Sequence, residues 1–130
     1  MKRLQTLAGI GLVGLFLVTG CSSALSPSGA PTDVKVTANE FRYDASQTTF
    51  VAGRTYHFIA SNLGTTTHDW VIAPRGGAED DALVMVEDDD FQPGDTFTKD
   101  FTFPKAGNYE IACHVAGHYE AGMVLPIIVS

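Results

Sequence analysis

The chain has 130 residues, room for one domain with a single hydrophobic core. Its formal charge is −7, from fifteen carboxylates against eight lysines and arginines. An acidic chain of this kind repels nucleic acid and gains nothing from anionic lipid headgroups, so neither is expected as a partner.

Taken in order, the chain begins with Met1-Lys2-Arg3, a short basic head, followed by an apolar run over residues 4–18 without a charge. Small residues then lead to a cysteine in Val18-Thr19-Gly20-Cys21. A basic head, a short apolar run and small residues before a break describe an export signal. The run is shorter than the roughly 20 residues a spanning helix needs. Cys21 directly after the small residues resembles the lipobox of bacterial lipoproteins. That resemblance implies cleavage before Cys21, lipid on its sulfur, and a domain held at the extracytoplasmic, periplasmic face of a membrane. An ordinary secretory peptide containing a cysteine is the alternative. Cleavage at residues 1–20 removes Lys2 and Arg3 and moves the formal charge to −9.

Two cysteines in an exported protein suggest one disulfide. With lipid on Cys21, Cys113 becomes a lone thiol in an oxidising compartment, and a bound metal would protect it. Residues 21–32 combine the cysteine with "SSALSPSGAPT", a Ser-, Pro- and Gly-rich flexible tether reaching at most about 35–40 Å.

From residue 33 onward the chain reads as strands. Val34, Val36 and Ala38 alternate with polar residues, as do Tyr56, Phe58 and Ala60. The same parity links Phe97, Phe101 and Phe103, then Tyr109, Ile111 and Cys113, then Leu125, Ile127 and Val129. Period-two alternation of aromatic and β-branched residues marks half-buried strands. Turn residues such as Ala52-Gly53, Pro93-Gly94-Asp95 and Ala106-Gly107-Asn108 separate them. The prediction is an all-β domain over residues 33–130, an antiparallel sandwich or barrel. Residues 78–90 fit a short helix or a loop equally. Trp70 is expected in the core, and His57 on the outer face of a strand.

The stretch "CHVAGHYEAGM" places Cys113, His118 and Met123 at equal steps of five, separated by two Ala-Gly pairs that let the chain turn. Cys113 closes a strand on its core-facing parity, and Met123 opens the last one. His114 has the opposite parity and is expected to point away. The best-placed fourth group is His68, after the turn "SNLGTTT" and at the mouth of the strand "WVIA". Two imidazoles, one thiolate and one thioether favour copper, and a trigonal His₂Cys plane with a long axial Met is the blue-copper electron-transfer geometry. Zinc also accepts such donors.

Cys-x₄-His-x₄-Met before a final apolar strand, with an upstream N-x-G-x₃-H, resembles the cupredoxins, and "AGHYEAGM" is similar to their plastocyanin-like and sulfocyanin-like branches. The resemblance implies a Greek-key β-sandwich with one type 1 copper ion. His68, Cys113 and His118 would be its ligands, with Met123 axial. His118 would meet solvent inside an apolar rim of Val115, Ala116, Gly117 and Ala121. Asp69 would brace the ligand loop, although a plain surface aspartate is the alternative. Departures from the family are Leu125, where glycine is common, and Pro126 in the last strand, which suggests an edge or a bulge.

Ala112 before the cysteine and the lack of any His-x-His pair exclude a multicopper oxidase. A binuclear site needs two loop cysteines, and there is one. The expectation is therefore an electron carrier, monomeric and not an enzyme, that meets redox proteins such as a c-type cytochrome or a respiratory complex. Copper delivery or buffering with the same ligands is the alternative, and a structural sandwich is a third reading. Residues 79–90 hold seven of the fifteen carboxylates, either a docking patch for a basic partner or a solvated loop.

Overall fold

The computed structural model describes residues 29–130. The export signal and Cys21 lie outside the described residues, as does most of the tether. Nine strands follow in order: β1 Thr32–Asn39, β2 Arg42–Ala45, β3 Thr49–Phe50, β4 Thr55–Asn62, β5 Trp70–Pro74, β6 Val84–Val86, β7 Thr96–Thr102, β8 Gly107–Ala112 and β9 Val124–Val129. Two sheets form, ordered β2-β1-β4-β7 and β3-β9-β8-β5-β6. The chain crosses between them repeatedly, and the inner faces of both supply one core. Val34, Val36 and Phe58 come from one sheet, and Trp70, Ile111 and Ile127 from the other.

The predicted alternation appears as burial. Along β4, Tyr56, Phe58 and Ala60 are buried while His57 and Ile59 are only half-buried. Across the outer face, His57 Nδ1 meets Asp100 Oδ1 of β7 at 2.5 Å. Aromatic rings fill the centre: Phe50 lies 4.8 Å from Tyr56 and 5.0 Å from Phe103, and Phe58 lies 5.3 Å from Trp70, between ring centroids.

Two features differ from the sequence reading, and a stretch it left open takes a definite form. The pairing is mixed rather than antiparallel, because β1 runs parallel to β4 and β3 parallel to β9. Residues 78–90 contain two single turns of 3₁₀ helix, Glu79–Asp81 and Asp88–Asp90, on either side of β6. Strand β8 is buried on both faces along Glu110 and Ala112, since Tyr119 from the following loop donates its hydroxyl to Glu110 Oε1 at 2.9 Å. Pro126 sits where the sheet tolerates it. Strand β3 reaches only Ile128 and Val129, so β9 is a local edge at the proline.

Parallel pairing of β1 with β4 sets the end of the sandwich that matters. Ala38 lies opposite Asn62, so both strands finish at the same end. There β5 begins, β8 ends and β9 begins, which brings the loops 63–69 and 113–123 together with the β1–β2 turn.

Candidate metal centre

Three donors converge at this end of the sandwich. His68 Nδ1 lies 3.2 Å from His118 Nδ1, Cys113 Sγ lies 3.3 Å from His118 Nδ1, and Cys113 Sγ lies 3.9 Å from His68 Nδ1. These edges enclose a point about 2.0 Å from every donor, and first-row metal bonds to imidazole nitrogen and thiolate sulfur run about 2.0–2.3 Å. One thiol and two Nδ1 atoms around such a point fit a soft-to-borderline transition ion. His68 and Cys113 are fully buried, and His118 is half-buried.

Each donor is placed by backbone hydrogen bonds. The Cys113 N–H donates to Met123 O at 3.1 Å, and the Met123 N–H donates to His118 O at 3.0 Å. The two ends of the loop are thereby tied across the donors. Within it, His118 N–H donates to Val115 O at 2.9 Å and Gly122 N–H to Tyr119 O at 2.9 Å. Gly117 and Gly122 have φ of +84° and +98°, a region bulky residues avoid, which is why this loop needs glycine at both turns. Met123 is fully buried.

The His68 loop is held by two side chains, Asn62 and Glu40. Asn62 donates through Nδ2 to Thr66 O and Phe91 O, both at 2.9 Å, and accepts the Gly64 N–H at 3.0 Å. Glu40 accepts from the Thr65 and Thr66 N–H groups and from the Thr65 hydroxyl. Its carboxyl is held down at about 2 by these hydrogen bonds. A Cβ at Gly64 would stand 2.6 Å from Glu40 Oε1 and 3.2 Å from His68 Nε2, so a side chain there would push the Glu40 carboxylate away from its place.

Asp69 links the two donor-bearing loops. Its Oδ1 and Oδ2 accept the His114 N–H at 2.9 and 3.0 Å, and the Tyr43 hydroxyl donates to its carbonyl. Burial pushes its carboxyl up. His114 is half-buried, its ring stacked on Tyr119 at 5.1 Å and 17°. Burial, reinforced by the Asp69 charge, pushes the Cys113 thiol up to about 12. Burial, together with the neighbouring His118, holds His68 below its ordinary 6.5. His68 therefore presents a neutral imidazole, while the thiol keeps its proton until a cation displaces it.

Sequence reasoning did not single out Glu40, Phe41, Tyr43, Glu110 or Tyr119. The surroundings of His118 also include a residue the sequence did not suggest. Ala116, Gly117 and Ala121 are exposed and Val115 half-buried, and beside the His68 ring the aromatic side chain that touches His118 is Phe41, with centroids 5.2 Å apart at 80°. Nothing in the alternation of "ANEFRYD" marks that contact.

Residues 30–130 match the family of copper-binding proteins of the plastocyanin/azurin type. The chain is a cupredoxin. Copper is the cofactor of this family, and the donor set above fits it. At the sequence level the cupredoxin is 30% identical over 122 residues to the copper-resistant cuproprotein CopI of Rubrivivax gelatinosus, covering 80% of this chain and 74% of the relative. In fold it resembles the dithionite-reduced auracyanin of the photosynthetic bacterium Roseiflexus castenholzii. The TM-score is 0.62 at 24% identity, over 78% of this chain and 99% of the other. Reduced rusticyanin superposes with a TM-score of 0.57 at 21% identity, covering 78% of this chain and 80% of rusticyanin.

Proposed function

We propose that this cupredoxin is a one-electron carrier whose copper is held by His68, Cys113 and His118, with Met123 as the axial ligand. The observation that carries this reading is the donor triangle, two imidazole Nδ1 atoms and one thiol fixed at the ends of paired strands. Copper supplies the Cu(II)/Cu(I) couple. The protein's part is to keep the donors in one arrangement for both oxidation states. Asn62 and Glu40 hold the His68 loop, Asp69 ties that loop to His114, and the Cys113–Met123 backbone pair closes the other. Donors that do not move cost little reorganisation when charge changes. His118, as the half-buried donor, offers the electron its route to a partner surface. Residues 1–20 serve as the export signal, residue 21 carries lipid, and the 33–130 domain works at the extracytoplasmic face, meeting redox proteins there.

A second reading, copper delivery or buffering, is favoured by the name of the curated relative, a copper-resistant cuproprotein. Voltammetry of the copper-loaded protein, set beside its rate of copper transfer to a chelator, separates the two. A reversible one-electron couple with copper retained over many cycles is the expected result. Rapid surrender of the ion without a reversible couple would favour metal handling.

A further inference from the structure

The turn between β1 and β2 contains only Glu40 and Phe41, and both residues reach the metal centre. Phe41 breaks two local rules at once. Its φ of +60° makes it the one non-glycine residue with positive φ among the described residues, and a bulky side chain there sets its Cβ against the backbone. The residue is also 45% exposed, so burial does not offset the strain. Glycine or asparagine would make the same turn more easily. Strain that local folding does not repay points to a role elsewhere.

What the ring touches is His118, edge to face. His118 also meets the His68 ring at 5.1 Å and 61°. The imidazole thus touches one fully buried ring and one exposed ring. Glu40 prevents the turn from swinging, because its carboxylate is bound to the Thr65 hydroxyl at 3.0 Å and the Thr66 N–H at 3.2 Å. His118 has the greatest need of such support. Cys113 and His68 are fully buried and fixed by the core, whereas His118 stands in a loop beside Gly117 and near Gly122.

We infer that Phe41 is a positioning residue of the metal centre, clamping His118 so that Nδ1 stays directed at Cys113 and His68. The inference rests on His118 being a ligand. Ring pairs of this kind prefer a definite mutual orientation, which an aliphatic side chain does not impose.

The test compares copper-loaded wild type with Phe41→Gly, Phe41→Leu and Phe41→Tyr, following the visible spectrum and the loss of Cu(I) to an excess of chelator. Phe41→Gly and Phe41→Leu should lose copper about two- to ten-fold faster, the range an aromatic pair supports, with a shifted or broadened thiolate-to-copper band. Phe41→Tyr should restore both. The metal-free Phe41→Gly protein should melt at or above wild type, because glycine accepts the left-handed turn. Wild-type release and spectrum in the Gly and Leu variants would overturn the clamp. So would a drop in metal-free melting temperature that accounts for the faster release. A wild type with no thiolate-to-copper band would remove the ligand assignment itself, and the inference with it.

Discussion

Cys113 has to satisfy opposing requirements. The metal needs a thiolate, yet burial and the nearby Asp69 charge push the thiol up to about 12. The proton therefore leaves only as a cation arrives, and affinity rises with pH because ion and proton compete for one sulfur. Loading with copper at pH 8 should release about one proton per ion from this thiol, read with an indicator dye in weak buffer. Cys113→Ser should abolish that release, and a wild type that releases none would mean the thiol is already ionised. His68 contributes differently. Burial holds it below 6.5, so it is already neutral near pH 7 and gives up no proton on binding.

At the level of elements, the β1–β2 turn acts as a brace for the His68 loop through Glu40. Its folded carboxyl titrates at about 2 against an ordinary 4.5. A depressed carboxyl stabilises the fold above its unfolded value, and that contribution is lost as pH falls from 4.5 through 2. Thermal melts across that window should show Glu40→Gln less stable than wild type at pH 6, with the two converging toward pH 2. A constant difference would detach the brace from the carboxylate. Much of this architecture was legible in the sequence. Alternation announced β1, β4, β8 and β9, and equal spacing singled out Cys113, His118 and Met123. Alternation reports which face a residue takes, however, and says nothing of strand direction. The parallel pairing of β1 with β4 was missed for that reason, and with it the placement of Glu40 and Phe41 beside residues 63–68. Glu110 was hidden similarly, since its burial depends on Tyr119 folding back from a loop nine residues later. Short 3₁₀ turns carry no periodicity long enough to read, which left residues 78–90 open.

At the scale of the whole molecule, the acidic charge, −7 for the full chain and −9 without residues 1–20, should steer small redox reagents. The copper-loaded protein should react faster with a cationic cobalt complex than with an anionic iron cyanide of matched driving force. The difference should shrink between low salt and 0.5 M salt as screening shortens below about 10 Å. Stopped-flow rates that ignore reagent charge and salt would mean that the electron's exit is remote from the acidic surface. The core is what allows so exposed a function: Phe58, Trp70, Phe91 and Phe103 are fully buried, and Phe58→Ala should cost about 3–5 kcal/mol in denaturant unfolding. The central claim is that Cys113, His68 and His118 form one copper site on this rigid frame. Its most direct test is the visible absorption spectrum of the protein titrated with Cu(II), beside Cys113→Ser. The structure predicts an intense thiolate-to-copper band that saturates at one ion per chain, is bleached reversibly by a mild reductant, and is absent from the variant. A folded protein that binds Cu(II) without that band, or a variant that retains it, would contradict the account.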